Sequence, residues 1–305
     1  MRVAGGASAS GKDWLEISVR VDGEAAEAVS ELLNRYGRGG AVVEHRLADG
    51  LGAHDDVDEI RVKAYIPAKD RLLKRQIEEA LWHLGQLYPI PDPEFVVLGE
   101  ADWAEAWKAH YGVLHVGQRT VIVPVWQSYD PGPDQVVIVL DPGMAFGTGT
   151  HPTTRLCLAA LEGLPLPGMD VLDLGTGSGV LAIAAAKRGA ASVRAMDTDP
   201  IAVASARENV AANRVADIVR VEQGSLEQAK ATYDLVLVNI LARVIVDLLE
   251  QGLADVLRPG GTVVASGIID EQEEDVRRAF SAHGIELAAR HTERDWVALI
   301  GRRKA

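Results

Sequence analysis

The sequence predicts an α/β protein: a doubly wound (Rossmann-like) parallel sheet with an antiparallel edge strand, preceded by a small α+β unit. Three observations carry this. From Pro165 onward, apolar runs of strand length alternate with helix-length runs, the order of a doubly wound sheet. Within it, Val171-Leu-Asp-Leu-Gly-Thr-Gly-Ser-Gly-Val180 leads an apolar run into three alternate glycines and then an Ala/Leu-rich helix former. Residues 14–98 read β-α-β-β-α-β, the order of a split βαβ (ferredoxin-like) sandwich.

The bulk numbers set limits. A chain of 305 residues suffices for two domains, and 48% hydrophobic content is that of a globular protein. The formal net charge of -13 argues against free nucleic acid as the main partner, because phosphate neutralisation needs a basic face. It suits a basic protein partner. Cys157 is the only cysteine, which excludes an internal disulfide, and it is expected to be a buried apolar residue. No leader peptide and no apolar run of about twenty residues is read, so the expectation is a cytoplasmic protein without a membrane partner.

Taken in order, residues 1–12 are Gly, Ala and Ser with few anchors, an expected tail. Strands are predicted at 14–21, 41–45, 59–66 and 94–98. Helices are predicted at 24–36, stopped by Gly37, and at 68–87, opened by Pro67 and carrying Leu72, Leu73, Ile77, Leu81 and Leu84. Ala101 to Tyr111 reads as a helix with Trp103 and Trp107 on one face. Strands follow at 120–126 and 135–140. Beyond Pro165, strands are predicted at 169–174, 192–196, 218–222, 235–238 and 262–266, with a hairpin near 285–290 and 296–301 closing one edge. The intervening helices are 180–188, 200–213, 241–256 and 270–283, with Pro259-Gly-Gly261 breaking the chain.

Three stretches carry chemistry. The first is the glycine turn, where Gly175, Gly177 and Gly179 let the backbone approach a ligand, and the following helix N-terminus welcomes an anionic group. Asp197 lies about twenty residues on, where a βαβ unit places a carboxylate beside a ribose. The third glycine comes one residue early for the dinucleotide fingerprint, which counts against an NAD dehydrogenase. Together with Asp173, the Asp-x-Gly-x-Gly-x-Gly pattern resembles the first motif of class I S-adenosylmethionine-dependent methyltransferases. The second stretch is Asp141-Pro-Gly-Met-Ala-Phe-Gly-Thr-Gly-Thr-His-Pro-Thr-Thr154, a long loop ahead of a helix that Thr153 or Thr154 begins. Such a loop can cover a ligand. Phe146 would stack on that ligand or face its sulfonium, and His151 is either a polar wall or a solvated loop residue. The third is Tyr233-Asp-Leu-Val-Leu-Val-Asn-Ile-Leu-Ala242, an apolar strand ending on Asn239 at the carboxyl edge, opposite Gly175 and Asp197. Its amide can accept from an amine and donate to a ligand.

These three motifs together resemble the bacterial methyltransferases of large-subunit ribosomal protein L-eleven, from about Trp14 to the end of the chain. The resemblance implies S-adenosylmethionine as cofactor and methyl transfer to lysine side chains and the N-terminal amine of that basic ribosomal protein. It implies that Thr154, Gly175, Asp197 and Asn239 contact the cofactor, with Phe146 and His151 in the matching loop. Asp173, Gly177 and Gly179 of the first motif join the cofactor set, and Asn239 and His151 are candidate catalytic groups. The implied organisation is a tail at 1–12, a substrate-recognition domain at 13–98, a linker with a helix at 99–128 and a methyltransferase domain at 129–305, in a monomer. Gly224-Ser-Leu-Glu227 departs from the acidic turn many methyltransferases use at the adenine. The expected reaction is in-line displacement by a neutral amine, with no dedicated base and no metal. The rivals are a nucleic-acid adenine methyltransferase and a non-catalytic ribosome-associated binding module. The first would carry an aromatic after Asn239, where Ile240, Leu241 and Ala242 stand. The second would need a defective cofactor site.

Overall fold

The structure, a computed structural model, describes residues 13–21, 23–37, 41–46, 59–86, 90–99, 112–141, 147 and 149–304. The predicted tail, the Trp103–Trp107 face and Phe146 lie outside these residues. The chain divides into two compact units, Met1–Tyr111 and Gly112–Ala305.

The first unit contains β1 (Trp14–Val21), α1 (Gly23–Tyr36), β2 (Val42–Arg46), β3 (Glu59–Pro67), α2 (Arg71–Leu84) and β4 (Glu94–Leu98). Its antiparallel sheet has the order β2-β3-β1-β4, the split βαβ arrangement. Period-two alternation puts Leu15, Ile17, Val19 and Val21 of β1 into one core with Val29 and Leu33 of α1 and Ile77 and Leu81 of α2. The second helix starts later than predicted. Pro67 ends β3, and the Asp70 carboxylate caps α2 by accepting from the Leu73 N–H at 3.0 Å. Leu72, counted in the apolar stripe, is 70% exposed.

The second unit begins with β5 (Leu114–Val116), β6 (Thr120–Pro124) and β7 (Val136–Leu140), a three-stranded sheet in that order. Residues 112–128, read from sequence as linker, therefore carry two strands of this unit. They are fastened to it by the Glu162 carboxylate, which accepts from the Gln118, Arg119 and Thr120 N–H groups and the Thr120 hydroxyl at 2.8–2.9 Å. There follow α3 (Pro152–Glu162), β8 (Asp170–Leu174), α4 (Val180–Lys187), β9 (Ser192–Asp197), α5 (Pro200–Ala212) and β10 (Val219–Gln223). Next come β11 (Tyr233–Asn239), α6 (Ala242–Glu250), β12 (Leu257–Ile269), α7 (Glu273–Ala282), β13 (Ile285–Glu293) and β14 (Trp296–Arg303).

The main sheet has the order β10-β9-β8-β11-β12-β14-β13, with β8 to β12 parallel. The antiparallel strand is β14, which enters one position inside the edge, leaving β13 outermost. One apolar cluster joins α3, α4 and α5 to one face of the sheet, and a second joins α6 and α7 to the other. Cys157 is buried in the first, and burial pushes its thiol up to about 12. Pro259-Gly-Gly261 does not stop the chain. It sits inside β12 as an irregularity, the partners jumping from Tyr233–Leu257 to Leu235–Thr262. Successive strands leave β8 in one direction and β11 in the other, so the switch point lies between these two neighbours.

Candidate functional site

At that switch point β8 ends in the glycine turn. Gly175, Gly177 and Gly179 all have positive φ, at 71°, 56° and 84°. Gly175 is the most constrained, since a Cβ there would stand 2.6 Å from Ile240 Cγ2. Only glycine combines that backbone with that approach. The turn is held from below by β9, with Gly175 N–H and Thr176 N–H both donating to the Met196 carbonyl at 2.8 and 3.0 Å. It is held from the side by Asp197, whose Oδ2 accepts from Gly177 N–H at 2.9 Å and whose Oδ1 accepts from Asp199 N–H at 3.0 Å. The carboxylate read from sequence as a ribose ligand thus also shapes the turn, and each oxygen keeps a lone pair.

Asp173 faces α4, because strand alternation puts it on the side opposite Leu172 and Leu174. Its Oδ2 accepts from the Thr176 hydroxyl at 2.6 Å and Ala182 N–H at 3.2 Å. Burial, helped by nearby Asp197, raises its carboxyl to about 7 against the pull of those bonds. Its partners make it a brace behind the turn.

The opposite wall is the start of α3. The N-cap is His151, one residue before Pro152 at the first helical position, and not Thr153 or Thr154. The His151 Nδ1 accepts from Thr153 N–H at 3.4 Å and lies 2.8 Å from Thr153 Oγ1. The ring meets Trp296 edge-on, with centroids 4.7 Å apart. Burial and the Arg155 guanidinium lower this imidazole to about 4, against the opposing Glu293. It is neutral at pH 7. The sequence left His151 as a polar wall or a solvated loop residue; in the structure it caps α3 and packs on an indole. Arg155 in turn spans the Thr150 carbonyl and the Glu293 carboxylate of β13.

Between the two walls β11 ends on Asn239. Its Nδ2 donates to Thr154 Oγ1 at 3.4 Å, and Thr154 is fully buried. Its Oδ1 is buried and has no hydrogen-bond partner among the described residues. A buried carbonyl oxygen without a donor is unusual and unfavourable by about 1–3 kcal/mol. The structure therefore brings together Thr154, Gly175, Gly177, Asp197 and Asn239, with one orphan acceptor in their midst. Sequence reading missed Ser178, Asn209, Arg155, Glu293 and Trp296. The signal for Asn209 was there: Asn209 and Asn213 are four apart on a helix whose face should be apolar. Among the described residues no cluster of His, Cys, Asp and Glu forms a metal site, and no helix is long and apolar enough to cross a membrane.

A doubly wound sheet with an antiparallel strand near one edge, a glycine turn after its central strand and Asn at the next strand end define a class I methyltransferase domain. The chain also carries a small split βαβ unit ahead of it. Residues 13–304 match the ribosomal protein L11 methyltransferase (PrmA) family, and the chain belongs to that family. It is 50% identical to the ribosomal protein L11 methyltransferase of Chloroflexus aurantiacus, over 95% of this chain and 98% of that one. It is 44% identical to that of Herpetosiphon aurantiacus, over 95% and 99%. Among solved structures it is similar to a ribosomal protein L11 methylase from Lactobacillus delbrueckii subsp. bulgaricus, with a TM-score of 0.58 and 35% identity. That match covers 64% of this chain and 99% of that chain.

Proposed function

We propose that this protein methylates amines of ribosomal protein L11 with S-adenosylmethionine, and that Asn239 positions the accepting amine. Family membership makes it a methyltransferase acting on that ribosomal protein. The observation that carries the site assignment is the buried Asn239 Oδ1, without a hydrogen-bond partner among the described residues, beside Thr154 and the strand end next to the glycine turn.

The residues present suit the cofactor. The glycine turn leaves backbone open where Gly175 permits no Cβ, and the N-terminus of α4 suits a carboxylate. Asp197, at the end of β9, would take ribose hydroxyls with its remaining lone pairs, and Thr154 would line the cofactor from the opposite wall. Phe146, outside the described residues, keeps its proposed place near the sulfonium. When bound, S-adenosylmethionine supplies a methyl group on a good leaving thioether.

The chain's own part is orientation. Asn239 Oδ1 accepts one N–H of the incoming amine and so fixes the direction of the nitrogen lone pair. The acceptor must be neutral, although free lysine titrates near 10.4. A dry pocket depresses that value by desolvation. We assign His151 no role as a base, since its Nδ1 faces Thr153 and burial with the Arg155 guanidinium lowers its imidazole to about 4. Asp173 lies behind the turn and is bonded to it. The nitrogen gains the methyl and the proton it sheds passes to solvent. The small unit at 13–98 would recognise the substrate, and the chain would work as a monomer in the cytoplasm without direct nucleic-acid contact. Incubating the purified protein with methyl-labelled S-adenosylmethionine and L11, followed by mass spectrometry, tests this. Label on lysine or N-terminal amines is expected, and an L11 that takes no label, or takes it on other groups, would reject it.

A further inference from the structure

We infer that Asn209 is a positioning residue for the cofactor turn, acting as the tie between that turn and strand β7. This rests on the functional reading above, since it presumes that the turn holds the cofactor.

β7 pairs with β6 on one edge only. Its other edge is met by two asparagine side chains from α5 and its C-terminal cap. Asn213 Oδ1 accepts from Val139 N–H at 2.9 Å, and its Nδ2 donates to the Val139 carbonyl at 2.6 Å and to the Asn209 carbonyl at 2.8 Å. Asn209 Oδ1 accepts from Asp141 N–H at 2.9 Å. The spacings match. Four residues along a helix rise roughly 6 Å, and two residues along a strand advance roughly 6.6 Å. The two amides thus present themselves to Val139 and Asp141 as a neighbouring strand would.

The two asparagines differ in one respect. Asn209, only 1% exposed, sends its Nδ2 to the Ser178 carbonyl at 2.9 Å, in the middle of the Gly177–Gly179 turn. Asn213 makes no bond to the turn among those described. Ser178, also 1% exposed, donates its hydroxyl to the Gly147 carbonyl at 2.6 Å. One amide and one hydroxyl therefore fix Asp141 and Gly147 against the same residue of the turn. Gly179, next in the turn, lies against α5 itself, with Ala206 Cβ 3.3 Å from where its own Cβ would stand. The turn is held by α5 as well as by β9, and Asn209 is the polar part of the α5 contact. Without Asn209 the Ser178–Gly179 peptide would keep only one of its two anchors, the Gly179 N–H on the Thr176 carbonyl at 2.9 Å, and the buried Ser178 carbonyl would lose its donor.

The test uses isothermal titration of the full chain with S-adenosylhomocysteine, alongside thermal unfolding. Asn209→Ala should weaken the dissociation constant about tenfold, the equivalent of one buried hydrogen bond. Asn213→Ala should lower the melting temperature about as much as Asn209→Ala does, yet hold the dissociation constant within about twofold. Asn209→Leu fills a similar volume without either hydrogen bond; it should weaken binding about tenfold as well, and it decides the matter if Asn209→Ala fails to fold. Equal losses of affinity in Asn209→Ala and Asn213→Ala would overturn the inference, because the pair would then be structural only. So would wild-type affinity in Asn209→Ala or, where that variant does not fold, in Asn209→Leu. A wild-type chain that does not take the probe would bring down the functional reading itself, and the inference with it.

Discussion

The glycine turn and the start of α3 meet the same strand end at Asn239, yet they are held by different means. The turn is built from backbone: positive φ at three glycines, amides on the Met196 carbonyl and one carboxylate twenty residues on. The start of α3 is built from side chains drawn from far along the chain. Thr154 meets Asn239 across 85 residues, Arg155 meets Glu293 across 138, and His151 rests on Trp296. A backbone-built wall fails all at once when one Cβ is added. A side-chain wall is a set of separable contacts, each with its own effect on stability and on rate.

Substitutions should divide along that line. Gly175→Val should have the largest effect. It adds a Cβ 2.6 Å from Ile240 at a φ of 71°, so cofactor binding should vanish in titration and stability should fall by about 2 kcal/mol or more. Asn239→Ala comes next and separates rate from stability. It removes a buried oxygen that has no partner among the described residues and one long bond to Thr154, so the melting temperature should move by no more than about 2 °C, while methyl transfer should fall about a hundredfold. Glu293→Gln weakens a half-exposed ion pair and should lower stability by less than about 1 kcal/mol in denaturant titration. The smallest effect concerns pH. His151 is lowered in the fold, so the unfolded chain binds its proton first, and the folded state loses stability as pH falls from about 6.5 toward 4. His151→Asn can still cap α3 but cannot be protonated there. The gap between wild type and this variant should therefore shift in the variant's favour across that window, and parallel curves would refute the assignment.

The same difference explains what the sequence revealed. The glycine turn was legible because its constraint is local: three glycines, an apolar strand before them and a helix former after. Asn239 was legible because a polar residue ending a buried strand stands out. The split βαβ unit followed from element order. The start of α3 was misread because threonine is the commoner cap, although Pro152 pointed to the residue before it. Nothing near His151 announces Trp296 or Glu293, since only the β13–β14 hairpin brings them there. The Pro259-Gly-Gly261 run was read as a break because glycine and proline disfavour strands, but β11 pairs with β12 on both sides of it, with the register shifting across the run. Residues 112–128 looked like linker because their strands are short, and the Glu162 contacts that bind them come from more than forty residues away.

The most direct test of the central claim compares wild type with Asn239→Ala in two assays on the same preparations: cofactor affinity by titration, and single-turnover methyl transfer to ribosomal protein L11. An orphan acceptor that orients the amine predicts affinity retained within about fivefold and a rate lower by about a hundredfold, with the wild-type label on amines. A variant that transfers methyl groups at the wild-type rate would contradict it.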